Sequence, residues 1–388
     1  MAQHVPPRLD VDAVLDSASI IVCCGSGGVG KTTTAAALAL RAAERGRRTV
    51  VLTIDPARRL AQSMGLTELD NTPRAVAGID TSAGGSLDAM MLDMKRTFDD
   101  IVVAHAEPGK AQAILDNPFY QALSSSFAGT QEYMAMEKLG QLRATGEHDL
   151  VVVDTPPTRS ALDFLDAPER MTTLMDGRMV RILVAPAKAS GKAYLKVVTT
   201  GFSVFTSAIT RIIGAQVLQD VSQFVAALET MFGGFRERAQ GTYDLLKSPG
   251  TQFVVVAAPE RDALREASYF VERLAEESMP LAGLVVNRVH RSAATTLSGE
   301  RALAAAEQLE QKADDAGARL ATGVLRLHAQ RMALAAREHR LQERFSGAHP
   351  GVPVVEVAAL PGDVHDLDGL RTVGADLAGG LEATAPTG

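Results

Sequence analysis

The chain has 388 residues, of which 46% are hydrophobic, and a formal net charge of −7. This length allows a sizeable core, and the acidic balance argues against a general nucleic-acid-binding protein. The only two cysteines, Cys23 and Cys24, are neighbours, so we expect neither a disulfide framework nor a Cys-x-x-Cys zinc site. We find no signal peptide and no run long and apolar enough to span a bilayer. These features predict a cytoplasmic protein and leave peripheral association with a membrane open.

Apolar runs and helical patterns alternate along the chain, which is typical of an α/β fold with a doubly wound, mostly parallel sheet. Ligands of such sheets bind beyond the carboxyl ends of the strands. We predict one domain over 1–388 with about seven or eight strands, a first helical insert at 94–146, a second at 160–248 and a disordered tail at 382–388. Seven apolar runs predict strands at 19–24, 49–54, 87–92, 150–154, 252–257, 281–286 and 352–358.

The first predicted strand leads into a glycine-rich turn and then into an alanine-rich helix. Gly25, Gly30, Lys31 and Thr32 satisfy the full spacing G-x-x-x-x-G-K-[ST] of a phosphate-binding loop, or P-loop. Glycines let backbone N–H groups face phosphate oxygens, and the helix directs the positive end of its dipole at the same anion. We expect Lys31 at the β- and γ-phosphates and the Thr32 hydroxyl on Mg²⁺. The expected nucleotide contacts of this loop are Gly25, Ser26, Gly27, Gly28, Val29, Gly30, Lys31, Thr32 and Thr33.

Two carboxylates stand at the ends of predicted strands. Asp55 follows the second strand, where it is suited to orient an attacking water, and capping of the next helix is the alternative. Asp154 ends the fourth strand after a hydrophobic run, a pattern that indicates binding of Mg²⁺ directly or through water. A plain strand-end Asp is the alternative there. We expect Asp55 and Lys31 to be catalytic, and Thr32, Asp55 and Asp154 to hold the metal.

The last strands supply candidate contacts to the base. Asn287 ends a strand, and its amide both donates and accepts hydrogen bonds, which suits the adenine edge. A guanine site would carry an Asp three residues later, where this chain has His290. Pro361 and Gly362 follow the last strand and are expected to contact the base or ribose. A turn-forming Asn and a plain Pro-Gly turn are the alternatives.

The second predicted insert contains a basic and apolar stretch within an acidic protein. Residues 177–219 include six basic side chains and no acidic one. A helix over 217–232 would then place apolar residues at spacings of three and four, forming one stripe. One interpretation is a helical subdomain that packs its own core. The other is a surface for a hydrophobic client helix or a membrane face.

In combination, the phosphate loop, the segments 55–57 and 154–158, and Asn287 resemble a known family. They are similar to the arsenical-pump-driving and tail-anchored-protein-targeting ATPases, which have a deviant Walker A loop, over about residues 19–369. The likeness includes the paired anion-transporting ATPase paralogues of actinobacteria. The resemblance implies a dimer with two ATP molecules at its interface, Asp55 as the water-orienting residue and Asp154 as the Mg²⁺-linked residue. It also implies a helical subdomain that moves with nucleotide state.

The chain departs from the family pattern in three places. The family's signature lysine, which reaches the partner's ATP, is replaced by Ser26. Three interpretations follow: a paralogous partner supplies the lysine, Arg58, Arg59 or Arg159 substitutes for it, or hydrolysis is weak. Arg159 and Ser160 replace the family's Gly-His, which alters the expected switch segment. The cysteines that hold zinc or arsenite in relatives are missing, which argues against an arsenite pump.

The sequence therefore predicts an Mg²⁺-dependent ATPase that converts ATP to ADP and phosphate. It would couple a dimeric nucleotide switch to a hydrophobic protein or membrane partner. The alternative is a weakly active nucleotide-switch subunit in a hetero-oligomer with a paralogous ATPase. An anion-pump subunit is less favoured because of the missing thiols, and a partitioning ATPase because its usual amphipathic helix or basic DNA face is not evident. The expected cofactors are ATP and Mg²⁺, without a nucleic-acid partner.

Overall fold

A computed structural model describes residues 6–55, 59–106, 109, 111–118, 120–121, 124, 130–156, 237, 240–292, 294, 296–312 and 316–379. Eight strands form one sheet within this part of the chain. They are β1 (Ile20–Cys24), β2 (Arg48–Thr53), β3 (Arg74–Ala75), β4 (Ser86–Met91), β5 (Leu150–Asp154), β6 (Thr251–Ala257), β7 (Leu281–Val289) and β8 (Val354–Ala358). Their spatial order is β3-β4-β2-β5-β1-β6-β7-β8, and only β3 with β4 pairs antiparallel.

The centre of the sheet fixes the position of the phosphate loop. β1 pairs with β5 on one side and with β6 on the other, so its carboxyl end lies where the chain order reverses. The register places Asp154 of β5 opposite both Cys23 of β1 and Thr53 of β2. The ends of these three strands are therefore level, and residues that follow them meet at one edge of the sheet.

Helices cover both faces of the sheet, which explains why the strands are almost continuously apolar. Ile20, Val22 and Cys24 of β1 belong to one buried layer, whereas Ile21 and Cys23 belong to the layer on the opposite face. The described helices are α1 (Val11–Ser17), α2 (Lys31–Glu44), α3 (Arg59–Ser63), α4 (Met94–His105), α5 (Ala111–Leu115), α6 (Thr130–Thr145), α7 (Arg261–Glu276), α8 (Gly299–Lys312), α9 (Ala316–Ala348) and α10 (Leu367–Leu377).

Helix α2 lies deep in the fold directly behind the phosphate loop. Its alanines are buried, as are Leu38 and Leu40, and α10 packs beside it. Alanine combines high helix propensity with a small side chain, so this helix can approach its neighbours closely. The first turn of α2 is thereby held in a fixed position relative to the end of β1.

The predicted α/β class and the mostly parallel sheet of about eight strands are confirmed. The edge strand β3 and the pair α8–α9 between β7 and β8 were not anticipated. Helices α4, α5 and α6 lie within the first proposed insert, whereas most of 160–248 and all of 382–388 lie outside the described residues. The division into one domain with two inserts stays a prediction. In the part of the chain that the structure describes, no helix is long and apolar enough to cross a membrane.

Candidate functional site

A cavity of about 950 Å³ lies beyond the carboxyl ends of the central strands. This volume falls in the range of about 300–1,000 Å³ that small-molecule sites occupy. Its walls come from the phosphate loop, the end of β2, the end of β7 and the segment after β8. The structure thus collects predicted site residues from four distant parts of the chain. Those in the lining are Gly28, Gly30, Lys31, Thr32, Thr33, Asp55, Asn287, Pro361 and Gly362.

Three glycines of the phosphate loop, Gly25, Gly28 and Gly30, have a positive φ, and at two of them a β-carbon would also clash with a neighbouring strand. Gly25 has a φ of 148°, and a β-carbon there would lie 2.1 Å from the Val256 carbonyl oxygen. Gly30 has a φ of 95°, and a β-carbon there would lie 2.1 Å from Nδ2 of Asn287. Both positions combine a positive φ with a close approach by a neighbouring strand. The glycine spacing read from the sequence therefore has a steric cause in the structure.

The amino end of α2 is arranged to receive an anion. Gly30 precedes the helix in the left-handed conformation, without a side-chain cap among the described residues and without an acidic residue in the first turn. The backbone N–H groups of this turn thus remain available for phosphate oxygens, and the helix dipole favours negative charge there. Lys31 begins the helix, is 5% exposed, and donates through Nζ to the Ser26 carbonyl at 2.8 Å. Burial lowers the pKa of Lys31, while the nearby Asp154 carboxylate opposes this change.

Thr32 and Asp154 meet across the phosphate loop and the end of β5. The Thr32 hydroxyl donates to Oδ2 of Asp154 at 2.8 Å, and Thr53 donates to the same oxygen at 2.9 Å. The Thr53 hydroxyl also accepts from the backbone N–H of Asp55 at 3.2 Å. One carboxylate therefore links the ends of β2 and β5 to the start of α2.

Asp154 is fully buried, and its second oxygen distinguishes it from an ordinary strand-end residue. Oδ1 is buried without a hydrogen-bond partner among the described residues. Burial raises the pKa of the Asp154 carboxyl to about 6, although Thr32 and Thr53 lower it through their hydrogen bonds. A buried carboxylate oxygen beside a threonine hydroxyl matches the oxygen donors that Mg²⁺ prefers, and Mg²⁺ takes only one or two carboxylates together with phosphates and water. Thr32 and Asp55 line the cavity, and Asp154 lies directly behind Thr32. The three residues therefore fit the metal that the sequence predicts.

Asp55 lies at the wall of the cavity, directly after the end of β2. Arg59 of α3 lines the same cavity. Residues 56–58 and 157–160 lie outside the described residues, so the expectations for Arg58, Arg159 and Ser160 stay predictions. Of the three arginines considered as substitutes for the missing lysine, Arg59 is thus the one that the structure places at the wall of the main cavity.

Asn287 lies between the cavity and the phosphate loop. It is 8% exposed, and its Nδ2 donates to the Val29 carbonyl at 2.8 Å. Its Oδ1 accepts from the backbone N–H of Arg288 at 3.0 Å. The amide retains one N–H and one lone pair, so its predicted contact with adenine stays a prediction. Pro361 and Gly362 lie in the cavity lining, and their predicted contact with the base or ribose stays a prediction too.

A second cavity of about 390 Å³ lies on the other side of the phosphate loop. Ser26, Gly27, Gly28 and Val29 line it, opposite residues that precede or belong to α7. Three of those residues are acidic, namely Glu260, Asp262 and Glu266. Arg288 lines both cavities. The half-buried Ser26 therefore stands at the side of the loop that does not face the main cavity.

Sequence reasoning missed Thr53 and Arg288. Thr53 precedes Asp55 by two positions, and only the alternation of side chains along a strand could have pointed to it. Arg288 follows Asn287 directly, yet its contact with Gly28 joins residues 260 positions apart. Such a contact depends on strand order in the sheet, which spacing within a motif does not reveal.

Comparison with known proteins agrees with this arrangement. The sequence model of the anion-transporting ATPase family matches residues 18–315. The ATPase GET3 of Malassezia globosa is 31% identical over 165 residues, which cover 42% of this chain and 46% of that protein. The ATPase ASNA1 homolog 1 of Paramecium tetraurelia is 26% identical over 293 residues, covering 74% of this chain and 80% of that protein.

A candidate arsenical pump-driving ATPase of Aquifex aeolicus is 25% identical over 257 residues, covering 64% of this chain and 57% of that protein. The matches with the Malassezia and Aquifex proteins thus span less than two thirds of those relatives. The family match, by contrast, covers most of this chain, including the phosphate loop, Asp55, Asp154 and Asn287. The chain therefore belongs to the anion-transporting ATPase family, which confirms the resemblance drawn from its motifs and the expectation of an ATPase.

Proposed function

We propose that this protein binds and hydrolyses ATP in an Mg²⁺-dependent manner in the main cavity. The observation that carries the proposal is the meeting of Thr32, Asp154 and the phosphate loop. The Thr32 hydroxyl lies 2.8 Å from a buried carboxylate whose other oxygen lacks a hydrogen-bond partner in the described residues. A phosphate cradle directly beside a site for a divalent cation is the arrangement that phosphoanhydride hydrolysis requires.

Each side chain of the proposed site has a role that follows from its position. Lys31 and the first turn of α2 bind and orient the phosphates, since both offer positive charge to the same space. Asp55 orients the water that attacks the terminal phosphorus, in line with the departing ADP oxygen. Thr32 and Asp154 would hold Mg²⁺, which neutralises charge on the phosphates when bound. Asn287, Pro361 and Gly362 would contact the adenine and ribose.

Titration calorimetry with ATP, with and without Mg²⁺, tests this site. The wild type should bind ATP, and Lys31→Ala should lose this binding. Arg48→Ala is a matched control, because Arg48 starts β2 at the opposite end of the sheet and forms an exposed ion pair with Asp149. Equal affinities for the wild type and Lys31→Ala would rule out the phosphate loop as the nucleotide site.

The proposal also includes a dimeric nucleotide switch that handles a hydrophobic client or membrane partner. This part rests on the family and on the basic, apolar sequence of 177–232, which lies outside the described residues. Capture of hydrophobic helices by the wild type, and its loss in Phe224→Asp or Leu228→Asp variants that retain the thermal stability of the wild type, would support client binding. Variants that simply unfold would support a subdomain core instead.

Ser26 favours a second candidate, a weakly active subunit of a hetero-oligomer. A cross-subunit cation can contribute about 10³–10⁵ in the rate of phosphoryl transfer, and a serine contributes no such charge. Sedimentation with ATP, alone and with a paralogue, tests this. Assembly and faster turnover only with the paralogue would support the hetero-oligomer, whereas a homodimer with brisk ATPase activity would contradict it.

A further inference from the structure

The end of β7 carries an irregularity directly beside the phosphate loop. Val286 pairs with Glu356 of β8, and the next pair joins Val289 to Ala358. Three steps along β7 therefore match two steps along β8, which leaves one extra residue in β7. This is a bulge, and bulges near functional sites redirect side chains.

Arg288 lies within this bulge and has a left-handed backbone. Its φ is 64°, and Ser278 is the only other described residue besides glycine with a positive φ. The left-handed conformation is unfavourable for arginine, whereas glycine adopts it freely and asparagine tolerates it. A strained backbone of this kind persists where the contacts around the residue hold it in that conformation.

Both side chains of the bulge contact backbone carbonyls of the phosphate loop. Asn287 donates to the Val29 carbonyl at 2.8 Å, and Nη1 of Arg288 donates to the Gly28 carbonyl at 3.1 Å. Arg288 also donates its backbone N–H to Oδ1 of Asn287 at 3.0 Å, which orients that amide. Two consecutive loop carbonyls are thus bound from the same neighbouring strand.

This contact has a direct consequence for anion binding. A loop binds phosphate when its N–H groups face the anion, so its carbonyls must turn away and need donors elsewhere. Nζ of Lys31 already donates a hydrogen bond to the Ser26 carbonyl. We infer that Arg288, together with Asn287, is a positioning residue that braces the phosphate loop in its anion-binding conformation. The inference rests on the proposed function, because it assigns the brace to the nucleotide site.

Two matched variants distinguish the effect of losing the Arg288 guanidinium from the effect of relieving backbone strain. Arg288→Gly removes both the donor and the left-handed strain, whereas Ser278→Gly removes the same kind of strain before β7 begins, away from the loop. Both variants should keep or raise the melting temperature. Arg288→Gly should weaken binding of ADP and of inorganic pyrophosphate by the same factor of about ten, while Ser278→Gly should leave both affinities unchanged. Arg288→Lys should recover part of the loss, because its ammonium can still donate.

Because pyrophosphate carries no base, its affinity for Asn287→Ala shows whether Asn287 acts on the phosphate loop or only on adenine. If Asn287 braces the loop, Asn287→Ala weakens the binding of pyrophosphate as well as of ADP, and any additional loss for ADP measures the proposed contact with adenine. The inference is overturned if Asn287→Ala weakens the binding of ADP but not of pyrophosphate. It is also overturned if Arg288→Gly binds both ligands as tightly as Ser278→Gly does. Failure of the wild type itself to bind ADP or ATP would instead contradict the proposed function, so the two failures are distinguishable.

Discussion

The Thr32 hydroxyl donates a hydrogen bond of 2.8 Å to Oδ2 of Asp154, joining the start of α2 to the end of β5. Because Thr53 binds the same oxygen, the carboxylate is held in one orientation and its Oδ1 remains without a partner in the described structure. This geometry links metal binding to the protonation of one buried residue.

Asp154→Asn should change the dependence of stability on pH. Burial raises the pKa of Asp154 from 3.8 to about 6 in the folded protein, so the folded state binds more protons than the unfolded state between these values. The contribution of this group to the free energy of unfolding therefore falls as pH rises from about 4 to 6, by on the order of 3 kcal/mol. Relative to the wild type, Asp154→Asn should become progressively more stable over this interval. Denaturant titrations without nucleotide at several pH values measure this, and a constant difference between the two proteins would contradict it.

Binding of Mg²⁺-ATP by the wild type should weaken as pH falls below about 6. The cation requires the ionised carboxylate, and protonation of Asp154 competes with it. Calorimetry of ATP with Mg²⁺ at pH 5.5 and 7.5 should show this loss, whereas ATP in EDTA should change less between the two values. Equal pH dependence with and without the metal would exclude Asp154 as the metal-linked group.

Asp55→Asn should separate turnover from binding. Asp55 lines the cavity beyond β2, and its proposed role is to orient the attacking water. Loss of this group should lower kcat by about 10²–10⁴-fold, while the Kd for ATP changes little. Single-turnover kinetics together with equilibrium binding measure the two quantities. An unchanged kcat would show that Asp55 does not orient the attacking water and would favour the alternative, in which it caps the next helix.

Ser26→Lys should raise the turnover of the isolated chain. Ser26 is half-buried beside the second cavity, where Glu260, Asp262 and Glu266 provide a negative environment for a cation. If the missing lysine limits hydrolysis, restoring it should increase kcat by at least about tenfold. Ser26→Ala is the control without a charge and should behave like the wild type. A Lys variant that assembles and binds ATP but gains no turnover would point to another source of the charge, for which Arg59 is the described candidate.

The sheet and the phosphate loop could be predicted because both follow from local patterns. Continuous apolar runs indicate strands that are buried on both faces, and the glycine and lysine spacing is imposed by the loop itself. Asp154 was recognisable for the same reason, since it ends an apolar run. The residue-level roles in the site remain predictions that the geometry supports.

The contacts between distant segments could not be predicted. The brace from Arg288 to Gly28 and the hydrogen bonds from His290 to Glu338 of α9 join residues whose proximity depends on sheet order and on the unanticipated pair α8–α9. Spacing along one segment carries no information on such pairs. The bulge at Arg288 is hidden for a further reason, because arginine is not a residue type that indicates a left-handed backbone.

The central claim is that the protein hydrolyses ATP with Mg²⁺ at the phosphate loop, and release of inorganic phosphate by the purified protein tests it most directly. The wild type should release phosphate from ATP only with Mg²⁺, alone or with a paralogous subunit added. Lys31→Ala should lower this rate by at least about 10³-fold, while Arg48→Ala should not change it. Phosphate release that persists at the wild-type rate in Lys31→Ala would contradict the account.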